Sequence, residues 1–168
     1  MLGKIRNLNM PIEKKFYLTQ TGLDKLKKEY RELKKVRLSK TKGGVPKILH
    51  SEDLDPEYLT LQEDLSFLAY RINELKNILE NAEIIQVPPK NQRDTVHLGA
   101  LVTLQEKSGG ENEFMIVGTL EANPSEGKIS SESPVGKALL GKKMGEEVFV
   151  TSPIKVVYKV KKIKYPIS

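Results

Sequence analysis

Four carboxylates crowd six residues a third of the way along the chain: Glu52, Asp53, Asp55 and Glu57. Acids packed this closely hold a hard divalent cation or decorate the positive end of a helix. The spacing Asp53-x-Asp55-x-Glu57 matches the opening of a calcium loop, but Tyr58 stands where that loop needs a turn glycine. Asp55 is placed as a helix N-cap and Pro56 at the first helical position, where both residue types are favoured. A capped helix start and a metal-handling tip are therefore both open on these residues alone. No other cluster competes: His50 and His97 are far apart, without ligand spacing, and the chain has no Cys.

The elements that must position the acids are helical. From Tyr58 the apolar residues fall at Leu61, Leu65, Leu68, Ile72, Leu75, Leu79 and Ala82, alternating three and four apart as along a coiled-coil seam. This predicts a helix over 56–83, about 42 Å long. Upstream, Thr19 is the expected N-cap of a first helix whose stripe is Leu23, Leu26, Tyr30, Leu33 and Val36. Gly43, Gly44 and Pro46 predict a break, with a short helical or irregular piece at 47–51. The two limbs read as an antiparallel hairpin over 16–85, with the acids at its far end.

Charge follows the same division. Residues 1–47 carry 14 basic and 4 acidic side chains, residues 48–90 carry 3 and 9, and residues 91–168 carry 11 and 9. A basic limb thus lies against an acidic one. Mutual attraction explains that, and so does a nucleic-acid-facing stripe; the first limb's excess leaves room for both.

After a basic leader (1–15) and the hairpin, Pro88 and Pro89 mark a linker over 86–94. The period then changes to two, predicting strands at 95–98, 101–104, 114–117, 128–130, 147–151 and 155–162. One short helix intervenes, with Ser133 as cap, Pro134 at its first position and Gly141 past its end. The expected fold is α+β: an N-terminal antiparallel coiled-coil hairpin, then a small, mostly antiparallel β domain over 95–168 with one short helix. The absence of Cys excludes disulfides and thiol chemistry, no segment is apolar enough to span a bilayer, and the N-terminus has no secretory apolar core. A cytoplasmic protein is expected.

The chain resembles the bacterial Gre transcript cleavage factors from about Tyr17 to Tyr165. The most specific stretch runs from Ser130-Ser131-Glu132-Ser133-Pro134 through Val135-Gly136-Lys137 to Gly141-Lys142-Lys143-Met144-Gly145-Glu146. Leu18-Thr19-x-x-Gly22-x-x-Lys25-Leu26, Phe67-Leu68-x-x-Arg71-Ile72 and Asn81-Ala82-Glu83-Ile84-Ile85 carry the rest. The resemblance implies a coiled coil that enters the secondary channel of RNA polymerase and a globular domain, similar to the FK506-binding protein fold, docked at the rim. It implies that Asp53, Asp55 and Glu57 act in the polymerase active site, with Asp53 and Asp55 sharing a Mg²⁺ ion to support cleavage of backtracked RNA. Ser133, Pro134, Val135, Gly136, Lys137 and Lys142 would meet the polymerase, and Lys47 and His50 would face the nascent RNA 3′ end. No cofactor of the chain's own, no membrane, no small-molecule substrate and no catalysis by the chain alone are implied.

The family tip reads Gly-Asp-Leu-x-Glu-Asn-Ala-Glu-Tyr. Here only Asp55 and Pro56 separate Leu54 from Glu57, so the tip is two residues shorter and the second metal-handling Glu lacks a direct counterpart. This motivates an alternative: a regulator that occupies the same channel without stimulating cleavage. The last option is a prolyl isomerase, but its aromatic pocket would have only Phe114, Phe149, Tyr158 and Tyr165 to draw on, and no Trp.

Overall fold

Aromatic and aliphatic residues flank the inner ends of both long helices, and there the chain pairs as strand. The computed structural model describes residues 14–42, 56–151 and 155–166. Strand β1 (Phe16–Leu18) leads into helix α1 (Gln20–Lys42); helix α2 (Pro56–Glu80) leads into strand β2 (Ala82–Ile84). β1 and β2 are parallel, with Phe16 opposite Ala82 and Leu18 opposite Ile84.

The expectation of a helix to Glu83 is corrected by this pairing. The Asn81 side-chain amide donates to the Asn77 carbonyl at 3.0 Å as the helix ends. The backbone then takes partners outside the helix: Phe16 N–H donates to the Asn81 carbonyl at 3.0 Å, and Ile85 N–H to the Leu18 carbonyl at 2.9 Å. Continued helix would forfeit these bonds while gaining only intrahelical ones. Thr19 caps α1 as expected, its hydroxyl accepting from Gly22 N–H at 3.0 Å. The expected break at Gly43–Pro46 and the piece at 47–51 lie outside the described residues.

The helices run antiparallel, Glu29 lying opposite Arg71 and Lys40 contacting Asp64. Ile72, Leu75 and Ile78 are the buried residues of α2. Ile78 stands outside the three-four seam. It is buried because the base of α2 packs on Leu18 of β1 as well as on Leu23 of α1. Ion pairs cross the hairpin at Lys15–Glu83, Glu29–Arg71 and Lys40–Asp64, while Lys27, Arg31 and Lys35 stand exposed on α1. Attraction between the limbs thus accounts for part of the basic excess.

The second half is one five-stranded sheet in the order β5-β4-β3-β7-β6, with β3 Leu101–Glu106, β4 Glu111–Val117, β5 Lys128–Ser130, β6 Glu147–Val150 and β7 Val156–Lys164. Its pairings are antiparallel except the parallel β4–β5 edge. Val102, Leu104, Ile116, Val148 and Val160 fill the core beneath helix α3 (Pro134–Leu139), which adds Leu139.

The strand expected at 95–98 is absent. Only Thr95 forms an isolated bridge, to Lys143, and other bonds pin the segment. Val96 N–H donates to the Lys142 carbonyl at 2.8 Å, and the Tyr165 hydroxyl accepts from His97 N–H at 3.0 Å while donating to the Thr95 carbonyl at 2.5 Å. The alternation that suggested a strand reflects Val96 entering the core. Among the described residues, no helix is long and apolar enough to cross a membrane.

Candidate functional site

Among the described residues, the two helices reach their outer ends at Lys42 and Pro56. With 23 residues in α1 and 25 in α2, those ends stand about 35 Å from the base. Glu57 lies exposed in the first turn of α2, where backbone N–H groups favour an anion. Asp53, Asp55, Lys47 and His50 lie outside the described residues. Among the described residues no three His, Cys, Asp or Glu side chains gather as a metal site.

The signature around α3 divides by geometry. The Ser133 hydroxyl accepts from Gly136 N–H at 3.0 Å and donates to the Ser130 carbonyl at 2.7 Å, capping the helix and tying it to the end of β5. Gly136 is buried, and a Cβ there would sit 2.0 Å from the Ser130 carbonyl oxygen, so the helix approaches its neighbour only without a side chain. Val135 packs against the core. Of the six residues singled out, Ser133, Val135 and Gly136 thus shape the platform. Pro134 and Lys137 are exposed on it, and Lys142 is half-buried, its carbonyl accepting from Val96 N–H.

A residue that the sequence reading did not single out joins the two halves. Glu121 closes a 3-10 turn (Thr119–Glu121) after β4, and its carboxylate meets Thr19 at the start of α1. The partners are 102 positions apart. No local pattern marks such a pairing.

Of the four aromatics weighed for an isomerase pocket, Phe114, Tyr158 and Tyr165 are partly buried against the core, while Phe149 stands 65% exposed. On α2, Phe67 and Tyr70 are 73% and 70% exposed, so the motif Phe67-Leu68-x-x-Arg71-Ile72 turns only part of its apolar content inward.

Two long antiparallel helices joined to a mixed β domain, with Glu57 exposed near the far end of the second helix, define the architecture. Residues 16–84 match the family profile described as "Transcription elongation factor, N-terminal", and residues 90–165 match "Transcription elongation factor, GreA/GreB, C-term". The chain is 42% identical over 147 residues to transcription elongation factor GreA of Bacillus licheniformis, covering 86% of this chain and 92% of that one. It is 38% identical over 159 residues to GreA of Clostridium acetobutylicum, covering 92% and 100%. Among solved structures, GreA factor homolog 1 (Gfh1) of Thermus thermophilus aligns at 27% identity and a TM-score of 0.41, over 90% of this chain and 99% of that one. The chain belongs to the GreA/GreB family of transcription elongation factors, close to GreA.

Proposed function

We propose that the protein serves bacterial RNA polymerase in the cytoplasm as an accessory cleavage factor. The hairpin enters the secondary channel, the β domain docks at the rim, and Asp53, Asp55 and Glu57 reach the active site of a backtracked complex. One observation carries this reading: Glu57 opens α2 at the end of the rod opposite the Thr19–Glu121 junction, and Asp53 and Asp55 precede it by four and two residues. Acids on a stiff support reach a buried centre in a defined orientation; the same acids on a surface loop would lose most of their placement.

The donor chemistry fits magnesium. Carboxylate oxygens are the hard ligands that ion prefers, and two or three of them leave its octahedral shell open for a partner to complete. Asp53 and Asp55 would hold the ion jointly with the polymerase, and when bound it polarises the phosphodiester and the attacking water. The chain's own work is to deliver negative charge at the right place and to exclude alternatives. Lys47 and His50 lie close to the acids in sequence and suit the RNA 3′ end. Pro134 and Lys137, with Lys142 beside them, offer the exposed part of the α3 platform to the rim. The chain needs no small-molecule substrate and no cofactor of its own.

The test is transcript cleavage by purified polymerase in stalled complexes. Asp53→Ala with Asp55→Ala is expected to slow factor-dependent cleavage by about 100-fold or more, the scale of losing an electrostatic stabiliser at a reacting centre. The double variant should still compete with the parent chain for polymerase. Undiminished cleavage by it would remove these acids from the mechanism.

A further inference from the structure

The joint between rod and base turns on one carboxylate. Glu121 Oε2 accepts Thr19 N–H at 2.5 Å, and its Oε1 accepts the Thr19 hydroxyl proton at 2.6 Å. The same hydroxyl accepts Gly22 N–H at 3.0 Å, so Glu121, Thr19 and the first turn of α1 form one chain of bonds. Glycines line the joint on both sides, Gly118 against the Tyr17 backbone and Gly22 against the Glu121 carboxylate itself. A Cβ at Gly22 would lie 2.2 Å from Glu121 Oε1, and one at Gly118 would lie 1.9 Å from the Tyr17 carbonyl oxygen.

The joint packs closely where Tyr17 meets Gly118, but not on every side. Beside it a cleft of about 360 Å³ lies between Thr19 and Gln20 on the rod and Leu98, Met115 and Tyr165 on the base. One hydrogen bond across such a joint would leave a swivel, whereas two bonds from one carboxylate to one residue define a direction. The negative charge at the N-terminus of a 23-residue helix strengthens both. The stakes grow with length. A swing of about 5° at the base displaces the end of a rod of about 35 Å by about 3 Å.

We propose that Glu121 is a positioning residue that fixes the direction of the rod on the globular domain and hence where the tip acids arrive. This rests on the function proposed above, and the test separates the two. The chain has no cysteine, so Asn73→Cys and Lys107→Cys give clean spin-label sites on rod and base. In the free protein, Glu121→Ala is expected to broaden the label-to-label distance distribution at least about twofold. Glu121→Gln keeps the side chain's length, one oxygen to accept Thr19 N–H and an amide that can donate to the Thr19 hydroxyl. Both links then persist, and most of the parental width should return. A Glu121→Ala distribution as narrow as the parent's would overturn the proposal. Should that variant lose cooperative melting, Glu121→Asp, one methylene short, is expected to broaden the distribution in its place.

With polymerase, Glu121→Ala should lower the maximal cleavage rate by about 10- to 100-fold, as displaced reacting groups do, while the half-saturating concentration changes less than about twofold. Glu121→Gln should recover the rate. Unchanged maximal cleavage by Glu121→Ala also overturns the proposal. A parent chain that stimulates no cleavage refutes the proposed function instead, and the distance measurement then decides the role of Glu121 by itself.

Discussion

Arg71 of α2 sets two guanidinium nitrogens on one oxygen of Glu29 in α1, Nη2 at 2.7 Å and Nε at 2.8 Å. Its third nitrogen holds Glu74 of the same helix at 2.7 Å. Glu74 first and Glu29 second raise the guanidinium's pKa above its ordinary value, so the arginine side of this triad stays charged at any working pH. The planar fork spans the hairpin midway, above the buried base and below the half-buried seam. Arg71→Ala is expected to cost about 1 kcal/mol after allowance for solvent screening. Urea unfolding at low and at 1 M salt checks this: the deficit should shrink in salt, since screening weakens the parental pairs.

The apolar register of α2 gives a second test. Ile78 is buried with Leu18 and Leu23, whereas Phe67 is largely exposed although it stands in one of the stretches that carry the family resemblance. Ile78→Ala should cost about 2–4 kcal/mol, the usual range for emptying a core aliphatic site. Phe67→Ala should change stability by less than about 0.5 kcal/mol. Equilibrium unfolding of both variants decides, and a Phe67→Ala deficit as large as that of Ile78→Ala would contradict the packing.

Those two residues also show what the sequence made legible. A long three-four alternation specifies a helix and most of its inward face, because every residue in the pattern contributes locally. The Ser133 cap with Pro134 after it is equally local, as are the alternating strands of the sheet. Ile78 escaped because its burial depends on β1, a three-residue strand whose partner β2 lies 66 positions away. Thr95–Leu98 misled for a related reason: its alternation is real, but its bonds go to Tyr165 and Lys142. Glu121 carried no signal at all, since a lone acid after a strand has no pattern to break. The acids at 52–57 were conspicuous by type and density, and it is their support, the rod, that the described residues supply.

The α3 platform separates shape from contact. Ser133→Ala removes a cap and should cost about 1 kcal/mol. Gly136→Ala forces a methyl group against the Ser130 carbonyl and should cost about 1–3 kcal/mol, as overpacking does. Lys137 is exposed, so Lys137→Glu should leave the melting transition within about 0.5 kcal/mol of the parent. If the platform meets polymerase as proposed, Lys137→Glu should still weaken binding in a competition assay. Thermal melts together with that assay sort the three variants, and equal binding by Lys137→Glu would remove this residue from the interface.

Tyr165 offers a pH-dependent test in the base. Burial raises its phenol pKa above 10.0, more than the bond from His97 N–H lowers it. The folded state therefore keeps the proton more tightly than the unfolded chain. Stability from this group is complete below the unfolded value and is lost as pH rises from there through the folded one. Tyr165→Phe removes the bonds to the Thr95 carbonyl and from His97 N–H, and at pH 7 it should cost about 1–3 kcal/mol. The gap between parent and variant should then narrow above about pH 10, because only the parent has a phenol to ionise. Denaturant midpoints for both proteins from pH 7 to 11 measure this. A gap that stays constant or widens across that range would show that Tyr165 is not held protonated by its surroundings.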